Sequence, residues 1–226
     1  MKSVLIIGLG RFGQHLCRNM VELHNEVMVV DEKEENVEAM MPLVTNAQIA
    51  DCTNVEVLKS MGIGNFDICF VCIGTNFQSS LEITSLLKEN GAKYVVSKAT
   101  RDIQAKFLLR NGADEVIYPE RDIAEKVAVR YSSNHIFDYI ELNDEYSIFE
   151  IPVAEEWVGK TIKEVHVRAK YKVSILGLKQ GENTKLLPMA DHEFTDKEHL
   201  MVIGRIEDVE HLLKKFENEK NKRNRK

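Results

Sequence analysis

A glycine-rich turn near the amino terminus constrains the fold of this chain more than any other feature: residues 8–13 read Gly-Leu-Gly-Arg-Phe-Gly. The apolar segment Val4–Ile7 before the turn predicts a buried strand, and the residues after it have the periodicity of a helix. Gly8 allows a tight turn, Gly10 lets a phosphate approach the backbone, and Gly13 lets helix and strand pack closely. The turn therefore predicts a phosphate-binding loop at a helix amino terminus.

An acidic residue, Asp31, ends the next predicted strand eighteen residues after Gly13. A carboxylate at this strand end accepts hydrogen bonds from ribose hydroxyls, and an acid in place of an arginine disfavours the 2′-phosphate of NADP. Arg11, inside the loop, can direct its guanidinium at a terminal phosphate of its own or a neighbouring subunit, and a surface arginine is an equal alternative. The pattern predicts binding of an adenine nucleotide, with ATP and NAD both open.

Short apolar runs alternate with amphipathic stretches through residue 118, which is typical of a parallel sheet covered by helices. The predicted strands are Val4–Gly8, Val27–Asp31, Ala47–Ala50, Ile68–Ile73, Lys93–Ser97 and Glu115–Tyr118. The predicted helices are residues 11–24, 33–41, 54–61, 77–90 and 102–111. This order predicts an α/β fold with a Rossmann-like, doubly wound parallel sheet.

A crossover helix is predicted at residues 120–134, with Ile123, Val127 and Tyr131 on one side. Beyond it the chain changes to short β-type runs separated by Gly and Pro, with a helix at 207–216, which predicts a second, smaller α+β domain. The later β-type runs are Ser147–Val153, Val173–Leu178 and His199–Ile203. The predicted domains are residues 1–138, which include the crossover helix, residues 139–219, and a basic tail at 220–226.

The charge balance argues against nucleic acid as a ligand, because 30 basic and 36 acidic residues give a net charge of −6. No apolar run reaches the roughly 18 residues that a membrane-spanning helix needs, and Met1 leads directly into a strand-like segment. We therefore expect no direct membrane insertion, so that any membrane role passes through a partner.

Four cysteines, Cys17, Cys52, Cys69 and Cys72, are expected to be reduced thiols in a cytosol. Cys69 and Cys72 have the C-x-x-C spacing of redox and metal sites. They lie in an apolar run of strand type, where residues three apart point to opposite faces of the sheet. The run therefore predicts a buried strand.

Further segments, together with the glycine loop and Asp31, resemble the RCK (TrkA-N and TrkA-C) family. In the first domain they are Asp51-Cys52-Thr53, Ile73-Gly74, Ser97-Lys98-Ala99 and Val116-Ile117-Tyr118-Pro119-Glu120. In the second domain they are Gly159-Lys160-Thr161-Ile162 through Arg168, Ile175-Leu176-Gly177-Leu178-Lys179, Leu187-Pro188 and Met201-Val202-Ile203-Gly204. The resemblance covers nearly the whole chain, which is similar in length and domain order to the cytosolic regulatory subunits of bacterial Ktr and Trk potassium-uptake systems.

The resemblance implies roles for residues of the first domain. Arg11 and Lys98 would contact phosphates, Asp31 would hold the ribose, and Glu120 would help to bind a divalent cation, Mg²⁺ or Ca²⁺. The alternative is that Glu120 binds no cation and only stabilises the helix dipole, since it lies at the start of the predicted crossover helix. The remaining implied contacts to the nucleotide come from Gly8, Gly10, Phe12, Gly13, Asp51, Cys52, Thr53, Ile73 and Gly74.

The resemblance also implies a cyclic di-AMP site between two copies of the second domain. Its implied positions are Ile162, Val165, Arg168 and Pro188. Residues 178–180 read Leu-Lys-Gln where family members often carry Ile-Lys-Arg.

In function, the resemblance implies a regulatory subunit and no enzyme. A homodimer would assemble into a homo-octameric ring beneath a membrane-embedded potassium-translocating subunit. The ring would lie in the cytoplasm at the inner face of the membrane, and ATP and ADP would favour different ring shapes.

The alternatives are an NAD-dependent oxidoreductase and a regulator that responds to NAD(H), because Asp31 suits NAD as well as ATP. Tyr94 and Lys98 have the Y-x-x-x-K spacing of short-chain dehydrogenases, but they lie on a predicted strand, which separates their side chains. None of the seven histidines lies in a metal-ligand pattern or beside a nucleophile. Binding without turnover is therefore the favoured interpretation.

Overall fold

The computed structural model describes residues 1–132, 136–143 and 145–223, and of residues 132 and 217–223 only the backbone. His135, the last residues of the predicted crossover helix and residues 224–226 of the predicted tail lie outside the described residues. The chain divides into two compact units, Met1–Ile123 and Ala124–Lys226. Residues 124–138, which the sequence analysis assigns to the first domain, fall in the second unit, and the predicted domain bounds stay a prediction.

The first unit contains a parallel sheet of six strands in the order β3-β2-β1-β4-β5-β6. The strands are β1 Ser3–Ile7, β2 Glu26–Asp31, β3 Asn46–Ile49, β4 Ile68–Val71, β5 Val95–Lys98 and β6 Glu115–Ile117. Its helices are α1 Arg11–Glu22, α2 Glu34–Glu38, α3 Val55–Met61, α4 Phe77–Glu89 and α5 Asp102–Arg110, and α6 Pro119–Ser132 begins in this unit and continues into the second. The predicted Rossmann-like fold is confirmed.

The central strand β1 is apolar throughout because both of its faces are buried. Leu5 and Ile7 belong to one hydrophobic cluster, and Val4 and Ile6 belong to another. The chain changes direction between β1 and β4, and ligands of such sheets bind at this switch point, beyond the carboxyl ends of the strands.

The two cysteines of the C-x-x-C sequence point to opposite faces of this sheet, as predicted. Cys69 packs in the cluster of Leu5, and Cys72 packs in the cluster of Val4. Both are free thiols, and burial raises the pKa of each to about 12. They therefore stay protonated and serve packing.

The second unit contains an antiparallel sheet of five strands in the order β10-β9-β11-β8-β7. The strands are β7 Asp138–Glu141, β8 Ser147–Pro152, β9 Ser174–Gln180, β10 Asn183–Leu186 and β11 His199–Gly204. The helices are α7 Ile162–Val165, α8 Val167–Tyr171 and α9 Ile206–Arg223. The predicted strands near 147, 173 and 199 and the final helix are confirmed, whereas β7 and β10 are additional to the prediction.

One face of this sheet packs in a core around Trp157, which is 2% exposed. The indole ring contacts the rings of Tyr171, Phe194 and Phe216.

Within the described ranges, no helix has both the length and the apolarity that are needed to cross a bilayer.

Candidate functional site

A cavity of about 680 Å³ opens at the carboxyl ends of the parallel strands in the first unit. The predicted site residues that line it are Gly8, Gly10, Arg11, Phe12, Asp31, Asp51, Cys52, Thr53, Ile73, Gly74, Lys98 and Glu120. Of the predicted set, Gly13 alone does not line the cavity. The structure therefore brings residues from six separate segments to one place, and their roles toward a ligand stay predictions.

The three glycines of the loop are required for different structural reasons. Gly8 has φ +93°, and a β-carbon there would lie 3.0 Å from the Ile73 side chain. A β-carbon on Gly10 would meet nothing within 4 Å, so this residue leaves the cavity open. A β-carbon on Gly13 would lie 2.0 Å from the carbonyl oxygen of Gly8. Gly13 thus permits the close packing of α1 on the loop and has no contact surface toward a ligand.

The amino terminus of α1 lies at the cavity, because Gly10, Arg11 and Phe12 line it. Gly10 is the N-cap residue, no side chain caps the helix, and its first turn contains no acidic residue. The first N–H groups of a helix have no partner within the helix. Together with the positive end of the dipole, they form a place for an anion.

Asp31 ties the end of β2 to the glycine loop. Its Oδ2 accepts the Leu9 N–H at 2.6 Å, and its Oδ1 accepts the Lys33 N–H at 2.9 Å and the Asn36 side-chain amide at 3.1 Å. These donors hold the carboxylate at the cavity wall, where a ribose is expected in folds of this kind.

The rim of the cavity opposite Asp31 carries Lys98 and Glu120, since β2 and β5 lie on opposite sides of β1 and β4 in the sheet. Nζ of Lys98 lies 2.6 Å from Oε1 of Glu120 and 5.7 Å from the ring centre of Phe12. The hydrogen bond from Lys98 lowers the pKa of Glu120, burial opposes this effect, and the charge of Arg11 adds to it. Glu120 is therefore ionised at neutral pH, with the ammonium group of Lys98 in contact with it.

A cation could bind Glu120 only with help from other oxygen atoms. Across the described part of the chain, three or more His, Cys, Asp or Glu side chains nowhere form a group that could hold a metal ion. Divalent cations such as Mg²⁺ commonly combine one or two carboxylates with substrate phosphates. Glu120 could supply one carboxylate to such an arrangement, and its role toward a cation stays a prediction.

The segment Asp51-Cys52-Thr53 forms a further part of the wall. Oδ1 of Asp51 accepts the side-chain hydroxyl of Thr53 at 2.7 Å and its N–H at 2.9 Å, and these bonds lower the pKa of Asp51. Burial, followed by the charges of Asp51 and Asp31, raises the pKa of Cys52 to about 12. Cys52 is thus a neutral thiol in the cavity wall, and it is no nucleophile.

Several polar residues of the wall belong to no motif in the sequence and were not predicted. They are Glu32, Lys33, Asn36, Thr75, Asn76, Ser79 and Thr100. Asn76 caps α4, with its side chain accepting the Ser79 N–H at 3.2 Å. Most of them follow the carboxyl end of a strand, and this position is the signal that could have identified them.

Tyr94 and Lys98 do not form a catalytic pair. Tyr94 precedes β5 and its hydroxyl bonds Glu115 at 3.1 Å, whereas Lys98 ends the strand and bonds Glu120. Tyr94 does not line the cavity. The strand prediction for this segment is confirmed.

The positions implied for cyclic di-AMP lie in the second unit. Ile162 and Val165 are on α7, where Val165 is 4% exposed and packs in the core, while Arg168 is an exposed residue of α8. Pro188 is half-buried and follows β10. Of these positions Arg168 supplies the accessible cationic side chain.

Comparisons with known proteins find matches over nearly all of this chain. Residues 4–119 match the TrkA-N domain, and residues 147–217 match the TrkA-C domain. Ktr system potassium uptake protein C of Bacillus subtilis (strain 168) is 37% identical over 95% of this chain and 97% of its own length. Ktr system potassium uptake protein A of the same organism is 38% identical over 96% of each chain.

A solved structure described as the GsuK RCK domain has the same fold. It aligns with a TM-score of 0.67 at 16% identity and covers 94% of this chain and 47% of that one. This likeness supports the two-part architecture.

Proposed function

Because this chain belongs to the RCK family of proteins with TrkA-N and TrkA-C domains, we propose that it is a cytosolic, nucleotide-sensing regulatory subunit of a potassium-uptake system. Its relatives of nearly equal length carry the name of such a system. The observation that carries the nucleotide part is the cavity at the strand ends, with Asp31 on one wall, Lys98 at the opposite rim and Arg11 in the glycine loop. The proposed ligands are ATP and ADP.

The two nucleotides differ in the charge at the phosphate end, and the charged rim lies there. A ligand changes a conformational equilibrium only if it binds the two states with different free energies. Arg11, Lys98 and Glu120 would supply this difference in binding free energy. The terminal phosphate would replace Glu120 as the partner of Lys98, and the released Glu120 would bind a cation together with that phosphate. ATP thereby favours one shape of the assembly and ADP favours another.

Calorimetric titration of nucleotide-free protein with ATP, ADP, NAD and NADH tests the ligand. We expect ATP and ADP to bind one per chain, with ATP tighter when Mg²⁺ or Ca²⁺ is present. Binding of NAD and NADH alone would favour the second candidate, an NAD(H)-responsive regulator, which Asp31 supports because it suits the adenosine ribose of either ligand. Substrate-dependent oxidation of NADH would indicate an oxidoreductase.

The proposed assembly is a homodimer that forms a homo-octameric ring and binds a membrane-embedded potassium-translocating subunit at the inner face of the membrane. Light scattering with ATP and with ADP tests the ring, and a monomer under both conditions at micromolar concentration would contradict it. Purification of a tagged copy from membranes tests the partner. Recovery of a potassium-channel-like membrane protein is the expected result.

Cyclic di-AMP is a proposed ligand of the TrkA-C domain, on the family resemblance and the exposed Arg168. A guanidinium suits a phosphate through paired hydrogen bonds. Titration of the wild type and of Arg168→Ala with cyclic di-AMP tests this, and equal affinity in the two proteins would contradict it.

A further inference from the structure

The carboxylate of Asp31 has little acceptor capacity left for a ligand. Its Oδ2 accepts the Leu9 N–H at 2.6 Å, and its Oδ1 accepts the Lys33 N–H at 2.9 Å and Nδ2 of Asn36 at 3.1 Å. An ionised carboxylate offers about four lone-pair positions. Three are used within the protein, so roughly one remains.

A ribose presents two adjacent hydroxyl groups, and a carboxylate without other partners can accept both of them. Asp31 has room for one. The second hydroxyl therefore needs another partner at the same wall of the cavity, since a buried hydroxyl without a hydrogen bond weakens binding.

Asn36 is the side chain in the right place to be that partner. It lies on α2, is half-buried and lines the cavity beside Asp31. The buried Val37 next to it packs in the core and fixes the helix.

The amide of Asn36 is not needed to orient the carboxylate, because the N–H groups of Leu9 and Lys33 already hold one oxygen each. Its contact with Asp31 uses one N–H of Nδ2. A side-chain amide carries a carbonyl oxygen as well as two N–H donors, so it can accept a hydroxyl while it donates to a carboxylate.

We propose that Asn36 determines sugar specificity: Asp31 accepts one ribose hydroxyl, and the side-chain carbonyl of Asn36 accepts the other. This inference rests on the proposed binding of adenine nucleotides. It assigns recognition of the two hydroxyls to two residues, where the strand-end carboxylate alone would be expected to hold both.

Titration with ATP, 2′-deoxy-ATP, 3′-deoxy-ATP and ADP tests the proposal in the wild type and in Asn36→Ala. In the wild type each deoxy analogue binds about 3- to 10-fold more weakly than ATP, the usual effect of one hydrogen bond. In Asn36→Ala the loss of affinity for one deoxy analogue, relative to ATP, falls below about twofold, and the loss for the other analogue is unchanged. The ratio of ATP to ADP affinity stays unchanged, because the phosphates lie at the opposite rim.

Glu35→Ala is the matched control, since Glu35 is an exposed neighbour on the same helix and does not line the cavity. Glu35→Ala should bind both deoxy analogues more weakly than ATP by the same factors as the wild type. Asn36→Ser retains a hydroxyl acceptor, so it should recover part of the discrimination between ATP and the deoxy analogue. It serves as a second variant if Asn36→Ala melts at a lower temperature.

Two results would overturn the role of Asn36 while ATP still binds: both losses of affinity persist in Asn36→Ala, or the wild type binds the deoxy analogues as tightly as ATP. A wild type that binds none of ATP, ADP and NAD would instead overturn the proposed nucleotide function, and the ribose role with it.

Discussion

The ammonium group of Lys98 lies 2.6 Å from Oε1 of Glu120, and the two side chains differ in exposure, at 10% and 68%. Lys98 is thus anchored in the wall, while Glu120 extends from the start of α6 into solvent. In the proposed function, a phosphate that enters the cavity would compete with Glu120 for the same ammonium group. Release of Glu120 then creates an ionised carboxylate beside a phosphate, which is the combination that a divalent cation prefers.

The first prediction concerns this carboxylate. We expect Mg²⁺ or Ca²⁺ to tighten ATP binding of the wild type by about tenfold, the effect of roughly 1.4 kcal/mol. In Glu120→Gln the gain falls below about twofold, since the neutral amide is a poor cation ligand. Calorimetric titrations with and without the cation measure the gain.

Asp122→Asn is the control for this prediction, because Asp122 is also an acid in the first turn of α6 but does not line the cavity. Its cation gain should equal that of the wild type. Equal losses in both variants would show that the helix dipole, and no cation contact, explains the acid at position 120.

The second prediction concerns Arg11, the exposed arginine of the glycine loop. If its guanidinium contacts the terminal phosphate, Arg11→Ala weakens ATP by about tenfold and ADP much less, since a charge-assisted hydrogen bond contributes roughly 1.5 kcal/mol. Arg18→Ala removes an exposed arginine from the same helix and should change neither affinity. Equal weakening of ATP and ADP by Arg11→Ala would contradict the contact.

The third prediction separates two glycines of one motif. Gly13→Ala places a β-carbon 2.0 Å from the Gly8 carbonyl oxygen, so the loop or α1 must shift. We expect a loss of stability of about 2 kcal/mol or more. Gly10→Ala meets no atom within 4 Å and should leave stability within about 0.5 kcal/mol of the wild type.

Gly10→Ala should nevertheless weaken nucleotide binding, because its β-carbon enters the space that a phosphate would take. Thermal unfolding and calorimetry on both variants test the contrast. A stable Gly13→Ala, or a Gly10→Ala with unchanged ATP affinity, would contradict the assigned roles.

The first unit was predictable because its four central strands, β1, β2, β4 and β5, carry apolar runs that are largely buried. In the second unit, every residue of β10, Asn183–Leu186, is exposed, so no pattern marks it as a strand. The edge strand β7 is short and mostly exposed, and it is missed for the same reason. Long-range pairing, which no local pattern encodes, decides both elements.

The site residues that belong to a sequence motif were predictable. Those that a turn brings to the cavity were missed. Asn36 reaches Asp31 across the β2–α2 connection, and that contact depends on a backbone path that no motif describes. On α6, Ile123, Val127 and Tyr131 lie on one side as predicted, but they are 58%, 48% and 76% exposed. A helical pattern identifies such a face without telling what it packs against.

The last prediction concerns pH and the buried Glu150 of β8, which is 8% exposed. Its carboxylate lies 2.6 Å from Nζ of Lys179 and 2.7 Å from Nδ1 of His199. Burial is the largest single influence and raises the pKa of Glu150, but the hydrogen bonds from Lys179 and His199 together outweigh it, so that the pKa is lowered from 4.5. The folded state therefore binds this proton less readily than the unfolded state does.

A lowered carboxyl pKa stabilises the fold above the unfolded value, and this contribution is lost as the pH falls through the folded value. Glu150→Gln should therefore lower the free energy of unfolding at pH 7 by about 1–3 kcal/mol and have a smaller effect near pH 3. Urea unfolding followed by the fluorescence of Trp157, the single tryptophan, measures this in the second unit. Glu182→Gln, an exposed turn residue with the same charge change, should match the wild type at each pH. An identical loss for Glu150→Gln at pH 7 and pH 3 would show that packing, and no ionised carboxylate, accounts for its contribution.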